Sequence, residues 1–289
     1  MGADESPRLT TRFVKNPPAP ANLDVQGTAN AFGYEWTTHG NLEKLYGQPQ
    51  DVLREFATFM IPDDFFAGQC VLDAGCGMGR WSWCALQKGA AEVRGFDLHD
   101  GIECARQLCA KDPRATFQRG NIFEPPFPPN TFDSVMSIGV IHHTGDTRRA
   151  FASLATLVKP GGRLFIQVYM TRGAGMDWRM NTLLKLTSKL PHRLLYSLCW
   201  TAVLCRRTPV LKWLVQLVNH FVMIVSHGRN RSFERNVADT FDWHCCPYRT
   251  YHTHAEVLRW FAEEGFTEAR LTNPTYGGAV NVIGTKPVQ

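Results

Sequence analysis

Three glycines at alternate positions constrain this chain more than any other feature. Gly75, Gly77 and Gly79 lie in VLDAGCGMGR, Val71 to Arg80, directly after a short apolar run that ends in an acid, Asp73. A buried strand, a glycine turn and then a helix bring bare backbone N–H groups up to a ligand. The same alternation continues downstream. EVRGFD, ATFQRGN, FDSVMSIG and RLFIQVY read as strands, with RWSWCALQKGA, GIECARQLCAKDP and DTRRAFASLATLVKPGG as helices between them. The second of these helices is stopped by Pro113 and the third closed by Pro160 and Gly161. Further on, THAEVLRWFAEEGF reads as an amphipathic helix, and TEARLTNP and GAVNVIGTKP as two final strands. Strands alternating with helices predict an α/β fold, doubly wound, with a mostly parallel sheet.

The remaining segments divide around this core, expected at 70–170. Residues 1–30 contain NPPAPAN without periodicity and read as a flexible arm. Residues 31–69 read as an N-terminal helical lid, in which Val52, Leu53, Phe56, Phe59 and Met60 share a face. Residues 171–239 form a helical cap inserted after the fifth strand, and 240–289 return to the core. The cap holds eleven Lys or Arg against three acids, a surplus of eight on a chain of net charge +5. It is apolar as well, yet its longest apolar runs, Leu194–Cys205 and Trp213–His227, fall short of the ~20 residues a membrane span needs. The cap is expected to cover a ligand site, form a dimer face or touch a membrane surface peripherally. Basic and aromatic residues are not interleaved along a groove, so no nucleic-acid partner is expected. Nine cysteines, an odd number without zinc-ribbon spacing, and a polar N-terminus predict no metal and a reducing, cytoplasmic setting.

Two ligands compete for the glycine loop. A dinucleotide fingerprint is G-x-G-x-x-G, whereas the spacing here is G-x-G-x-G. An acid two residues before the first glycine would repel a pyrophosphate. A zwitterionic sulfonium ligand, S-adenosylmethionine, tolerates it through its positive amino group. Asp97 ends the second strand, 24 residues beyond Asp73, where a carboxylate can accept both ribose hydroxyls. Asn121, in Gly120–Asn121 at the end of the third strand, offers an amide to the adenine edge.

With these residues in place, VLDAGCGMGR, GFDLHD, GN, FDSVMSIGVIHHTGD and LVKPGGRLFI resemble the class I S-adenosylmethionine-dependent methyltransferases, in particular the ubiquinone/menaquinone-type small-molecule branch. The resemblance covers 70–169 closely, and the last helix and strand pair more loosely. It implies a seven-stranded sheet whose last strand is antiparallel. It also implies that Asp73, Gly75, Cys76, Gly77 and Gly79 face the methionine part and Asp97 and Leu98 the ribose. Asn121 and Ile122 would face the adenine, and Ile138 would border the sulfonium. Many members carry Asp where Asn121 stands.

Methyl transfer is an in-line displacement that mainly needs positioning and exclusion of water, with a base only for a protonated acceptor. His142, His143, His252 and His254 are candidate bases, set against packing and helix-capping roles. Tyr169, ending the fifth strand, is a candidate aromatic face for the sulfonium, an interaction of about 2 kcal/mol when desolvated, or a packing residue. Tyr34 and Trp36 are placed to close over the cofactor. Asp242, Trp243, Tyr248 and Tyr251 are the expected substrate contacts. The function expected is a small-molecule methyltransferase. Alternatives are a cyclase in which the cofactor's amine closes azetidine-2-carboxylate and releases methylthioadenosine, a protein or nucleic-acid methyltransferase, and a non-catalytic cofactor binder.

Overall fold

The computed structural model describes residues 25–208, 232–275 and 277–288. Seven strands form one sheet: β1 Cys70–Ala74, β2 Glu92–Asp97, β3 Ala115–Arg119, β4 Phe132–Ile138, β5 Val158–Tyr169, β6 Thr267–Leu271 and β7 Ala279–Thr285. Their order is β3-β2-β1-β4-β5-β7-β6. β7 pairs antiparallel with both neighbours and the other strands run parallel, as expected. The central strand β1 is buried from Val71 to Ala74, as a near-continuous apolar run covered on both faces must be.

Ten helices are described: α1 Val25–His39, α2 Leu42–Tyr46, α3 Pro49–Ala57, α4 Arg80–Gln87, α5 Ile102–Leu108, α6 Thr147–Leu157, α7 Ala174–Thr187, α8 His192–Arg207, α9 Phe233–Cys245 and α10 His254–Glu263. Phe56, Phe59 and Trp81, from α3, α4 and the turn between, pack over one face of the sheet. Phe151, Leu154, Trp260 and Phe261, from α6 and α10, cover the other. A third cluster joins Leu195, Cys199 and Val203 of α8 to Val237 and Phe241 of α9 and to Ala31 of α1. Cap and lid are therefore one packed layer.

Three boundaries differ from the sequence reading. α1 starts at Val25, inside the expected arm, because Ala31 at its centre is buried in the third cluster; residues 1–24 lie outside the described residues. β5 begins at Val158 and runs through Pro160 and Gly161, expected to close the preceding helix. There Gly161 takes φ +79° and its N–H donates to the Lys286 carbonyl. α9 runs across the expected cap boundary at 239, since its buried side, Val237 to Cys245, faces α8 throughout. The run Trp213–His227 lies outside the described residues. Among the described residues no helix is long and apolar enough to cross a membrane.

Candidate active site

The glycine loop is held by close approach on both sides. Gly75 has φ +80°, and a Cβ there would lie 2.4 Å from Val140 Cγ1. Gly79 opens α4 in the left-handed region at φ +82°, and its Cβ would meet Ala105 of α5 at 2.7 Å. The loop is tied to the end of β2 by one side chain. Gly77 N–H donates to Asp97 Oδ2 at 2.8 Å, Leu98 N–H donates to Oδ1 at 2.6 Å, and His99 Nε2 stands 3.2 Å from Oδ1. A carboxylate has about four acceptor positions, so one remains beyond these three.

The loop forms one wall of a cavity of about 550 Å³ at the carboxyl ends of the strands. Gly75, Cys76, Gly77, Asp97 and Leu98 line it, joined by Asn121, Ile122 and Ile138 from the ends of β3 and β4. Trp36 of α1 lines it from above. The opposite wall is built by His143, by Tyr169 at the end of β5, and by Asp242 and Trp243 of α9. Tyr169 and Trp243 stack at 5.1 Å with 7° between their planes. The Arg249 guanidinium lies 4.8 Å from the Trp243 ring and its Nη2 donates to the Trp243 carbonyl at 2.5 Å.

Several expected residues lie outside the cavity wall. Asp73 sits behind the loop at 1% exposure, where Ser82 Oγ–H donates to its Oδ2 at 2.6 Å. Burial pushes its carboxyl up to about 7. Gly79 faces α5 instead of the cavity. Tyr34 packs on His192 and Phe241, so it joins lid to cap instead of covering the cofactor. Tyr251 is buried 6.2 Å behind Tyr169, and Tyr248 offers its carbonyl to His143.

The histidines sort by their surroundings. His142 is fully buried against the Tyr169 ring at 4.0 Å, and burial pushes its pKa well below the usual range. His143 reaches the cavity, but its Nδ1 lies 3.1 Å from both the Tyr248 carbonyl and Cys246 Sγ. Burial, then the nearby Arg249, lower it to about 3, which makes it a weak proton acceptor. His252 contacts Glu256 at 3.0 Å and the Thr250 hydroxyl at 2.9 Å, away from the cavity. His254 is the first residue of α10; the helix is capped by Thr253 and Glu256 in a capping box.

Charged residues missed in the sequence complete the site. Arg235 of α9, 5% exposed, stands 3.2 Å from Glu55 of α3 and 3.0 Å from Asp239, and all three line the cavity. Arg80 lines it too, donating to the Tyr46 hydroxyl at 3.1 Å with its guanidinium 4.5 Å from the Trp81 ring. Behind Asp242 lies Glu35 of α1, 1% exposed and raised well above the usual carboxylate range by burial. Glu35, Asp242 and Cys245 each bring an oxygen or sulfur within 4.8 Å of the others. No spacing along the chain announces this group; the only signal was a lone acid among the aromatics of FGYEW.

The donor set fits S-adenosylmethionine. Asp97 keeps acceptor capacity for hydroxyls, Leu98, Ile122 and Ile138 supply apolar surface for a base, and Asn121 stands at the same rim.

Residues 72–166 match the family model described as a methyltransferase domain. The chain is 34% identical over 108 residues to an uncharacterized protein of Synechococcus sp., covering 36% of this chain and 26% of that protein. It is 32% identical over 111 residues to the demethylmenaquinone methyltransferase of Symbiobacterium thermophilum, covering 36% and 44%. It is 29% identical over 141 residues to phosphoethanolamine N-methyltransferase 2 of Caenorhabditis elegans, covering 47% and 31%. The chain thus spans less than half the length of each of these relatives. In fold it resembles a chain from the complex between the Haloferax volcanii Trm112 methyltransferase activator and a methyltransferase. The TM-score is 0.53 at 15% identity, covering 91% of this chain and 98% of that one.

Proposed function

We propose that this chain, whose residues 72–166 match the methyltransferase-domain family model, is a class I S-adenosylmethionine-dependent methyltransferase that transfers the sulfonium methyl group to a small molecule. One observation carries the reading. A single cavity joins the glycine loop, Asp97 and Asn121 at one end to Tyr169, Trp243 and Asp242 at the other. S-adenosylmethionine, when bound, supplies an electrophilic methyl on a positively charged sulfur. Asp97 and Leu98 would hold the ribose, the glycine loop the methionine part and Asn121 and Ile122 the adenine, with Ile138 beside the sulfonium. Tyr169 and Trp243, stacked on each other, line the reacting end and keep water away from it. A cavity of about 550 Å³ suits a small acceptor better than a macromolecule.

Cap residues support a peripheral membrane contact in the same reading. Trp178 and Leu186 of α7 and Leu198 and Trp200 of α8 are exposed beside Lys185, Lys189 and Arg193. All nine cysteines are unpaired, which suits a reducing, cytoplasmic setting.

The test is product analysis. With S-adenosylmethionine alone, no turnover is expected. Adding the small-molecule fraction of a cell extract should release S-adenosylhomocysteine. Methylthioadenosine from the cofactor alone would replace methyl transfer with ring closure.

A further inference from the structure

Glu35 and Asp242 are distant in the chain, and α1 and α9 bring them within 4.8 Å. Glu35 Oε2 and Asp242 Oδ1 are both sealed from solvent and neither has a hydrogen-bond partner. Two ionised carboxylates this close repel strongly unless a cation lies between them. No ion pair within 4.0 Å reaches either acid among the described residues. Cys245, the third member of the group, is occupied as a neutral thiol. Its Sγ donates to the Asp242 backbone carbonyl at 3.8 Å, and burial keeps the proton on sulfur. A proton is the cation that fits.

We propose that Glu35 and Asp242 hold one proton between them, and that Asp242 accepts the acceptor's proton during methyl transfer. This rests on the methyl-transfer reading. Asp242 forms part of the cavity wall, whereas Glu35 lies behind it, so Glu35 is a positioning residue. The other acids of the wall are engaged: Glu55 and Asp239 face Arg235, and Asp97 holds the glycine loop. In the step, a lone pair of an O–H or N–H acceptor forms the new bond to the methyl carbon. The carbon–sulfur bond breaks with its electron pair left on sulfur, and the acceptor's proton passes to the Asp242 carboxylate. The products are the methylated acceptor, S-adenosylhomocysteine and a protonated Asp242.

The surroundings assign the two roles. Glu35 is the more deeply buried: burial, then Asp242 and Asp239, raise it well above the usual carboxylate range against the opposing charges of Arg80 and Arg235, and it is assigned the proton. Asp242 is pushed up only to about 6: burial raises it, Arg249, Arg80 and Arg235 oppose, and Asp239 adds to the rise. From α8, Tyr196 and Cys199 face Glu35 as neutral groups, both raised by burial. In this assignment Asp242 carries the charge and a protonated Glu35 faces it within 4.8 Å.

Infrared spectroscopy of the full chain between pH 5 and 8 tests the shared proton without any acceptor. In an Asp73→Asn background, because the Asp73 carboxyl is itself raised to about 7, a protonated-carboxyl band is expected; it should be lost in Glu35→Gln and shifted in Asp242→Asn, where burial still holds the proton on Glu35. Absence of that band overturns the proposal, as does tight uptake of zinc by the native chain with loss of the band. In turnover with the small-molecule fraction, Asp242→Asn should lower kcat by about 10²–10⁴-fold while calorimetry shows S-adenosylmethionine binding kept. Glu35→Ala should move the acid limb of the kcat profile to higher pH, and Glu35→Gln, which still donates, should restore it. Native rates in Asp242→Asn overturn the base role. If the native chain turns over no acceptor, the methyl-transfer reading fails and the base role with it, while the infrared band still decides the shared proton.

Discussion

Asp97 joins the glycine loop to the end of β2, since its carboxylate takes the N–H groups of Gly77 and Leu98. Charge-assisted bonds of this kind contribute about 1.5–3 kcal/mol each. Asp97→Ala should therefore weaken S-adenosylmethionine binding about 10–100-fold by calorimetry; an unchanged Kd would remove Asp97 from the cofactor site. Asp73 differs because it lies behind the loop. Burial raises its carboxyl to about 7, the Asp97 charge adds to the rise, and Ser82 opposes it. An unfolded aspartate ionises at about 4. Below that pH both states are protonated and the stabilising contribution is full. It is lost as pH rises through about 7, where the folded carboxyl must ionise in a dry site. Melting curves from pH 4 to 8 should show Asp73→Asn gaining on the native chain as pH rises, and a gap constant across pH would refute this. Asp97, Asn121 and Ile138 were legible in the sequence because strand ends in a parallel sheet converge on one rim. The inward turn of Asp73 was not, since a strand's last residue gives no sign of which side its neighbour, here Ser82 of α4, will occupy.

Among the elements, α9 joins lid to cap. Its Arg235 reaches Glu55 on α3 and Asp239 one turn on, with the Tyr46 ring of α2 5.0 Å from its guanidinium. Removing one partner of a buried ionic group leaves charge stranded in low dielectric. Arg235→Met should cost about 3–5 kcal/mol in urea unfolding, and adding Glu55→Gln should recover part of that loss. A loss below 1 kcal/mol for Arg235→Met would mean that water reaches this cluster. The strands were legible almost to the residue because apolar alternation and turn residues are local signals. β5 escaped at its start, where Pro160 and Gly161 sit in a bent strand edge held by Lys286 from the far end of the chain. α1 and α9 escaped for a related reason: each is defined by burying its side against the other and against α8, and a sequence window does not contain its partner.

At the scale of the whole molecule, the cavity draws its walls from three layers: Trp36 of the lid, the strand ends of the core, and Asp242 and Trp243 of α9. The wall proposed for the cofactor comes from consecutive strand ends, and its place on the cavity could be read in order along the chain. Of the other wall, Tyr169, Asp242 and Trp243 could be read as well, whereas Glu35 and Arg235 could not, because they join it only after lid and cap pack together. A ligand touching all three layers stabilises them jointly, by about 2.7 kcal/mol at a hundred times its Kd. For a chain of 289 residues that corresponds to a rise of about 4–5 °C in Tm. S-adenosylmethionine and S-adenosylhomocysteine should both produce such a shift, and both should slow proteolysis between α1 and α3 and within the cap. NAD should produce neither effect, because its pyrophosphate would meet the Asp97 carboxylate that holds the G-x-G-x-G turn. An equal shift with NAD would overturn the cofactor assignment. A shift with S-adenosylhomocysteine that leaves lid and cap as open to protease as before would show that the cofactor fills only the strand-end wall and that closure waits for the acceptor.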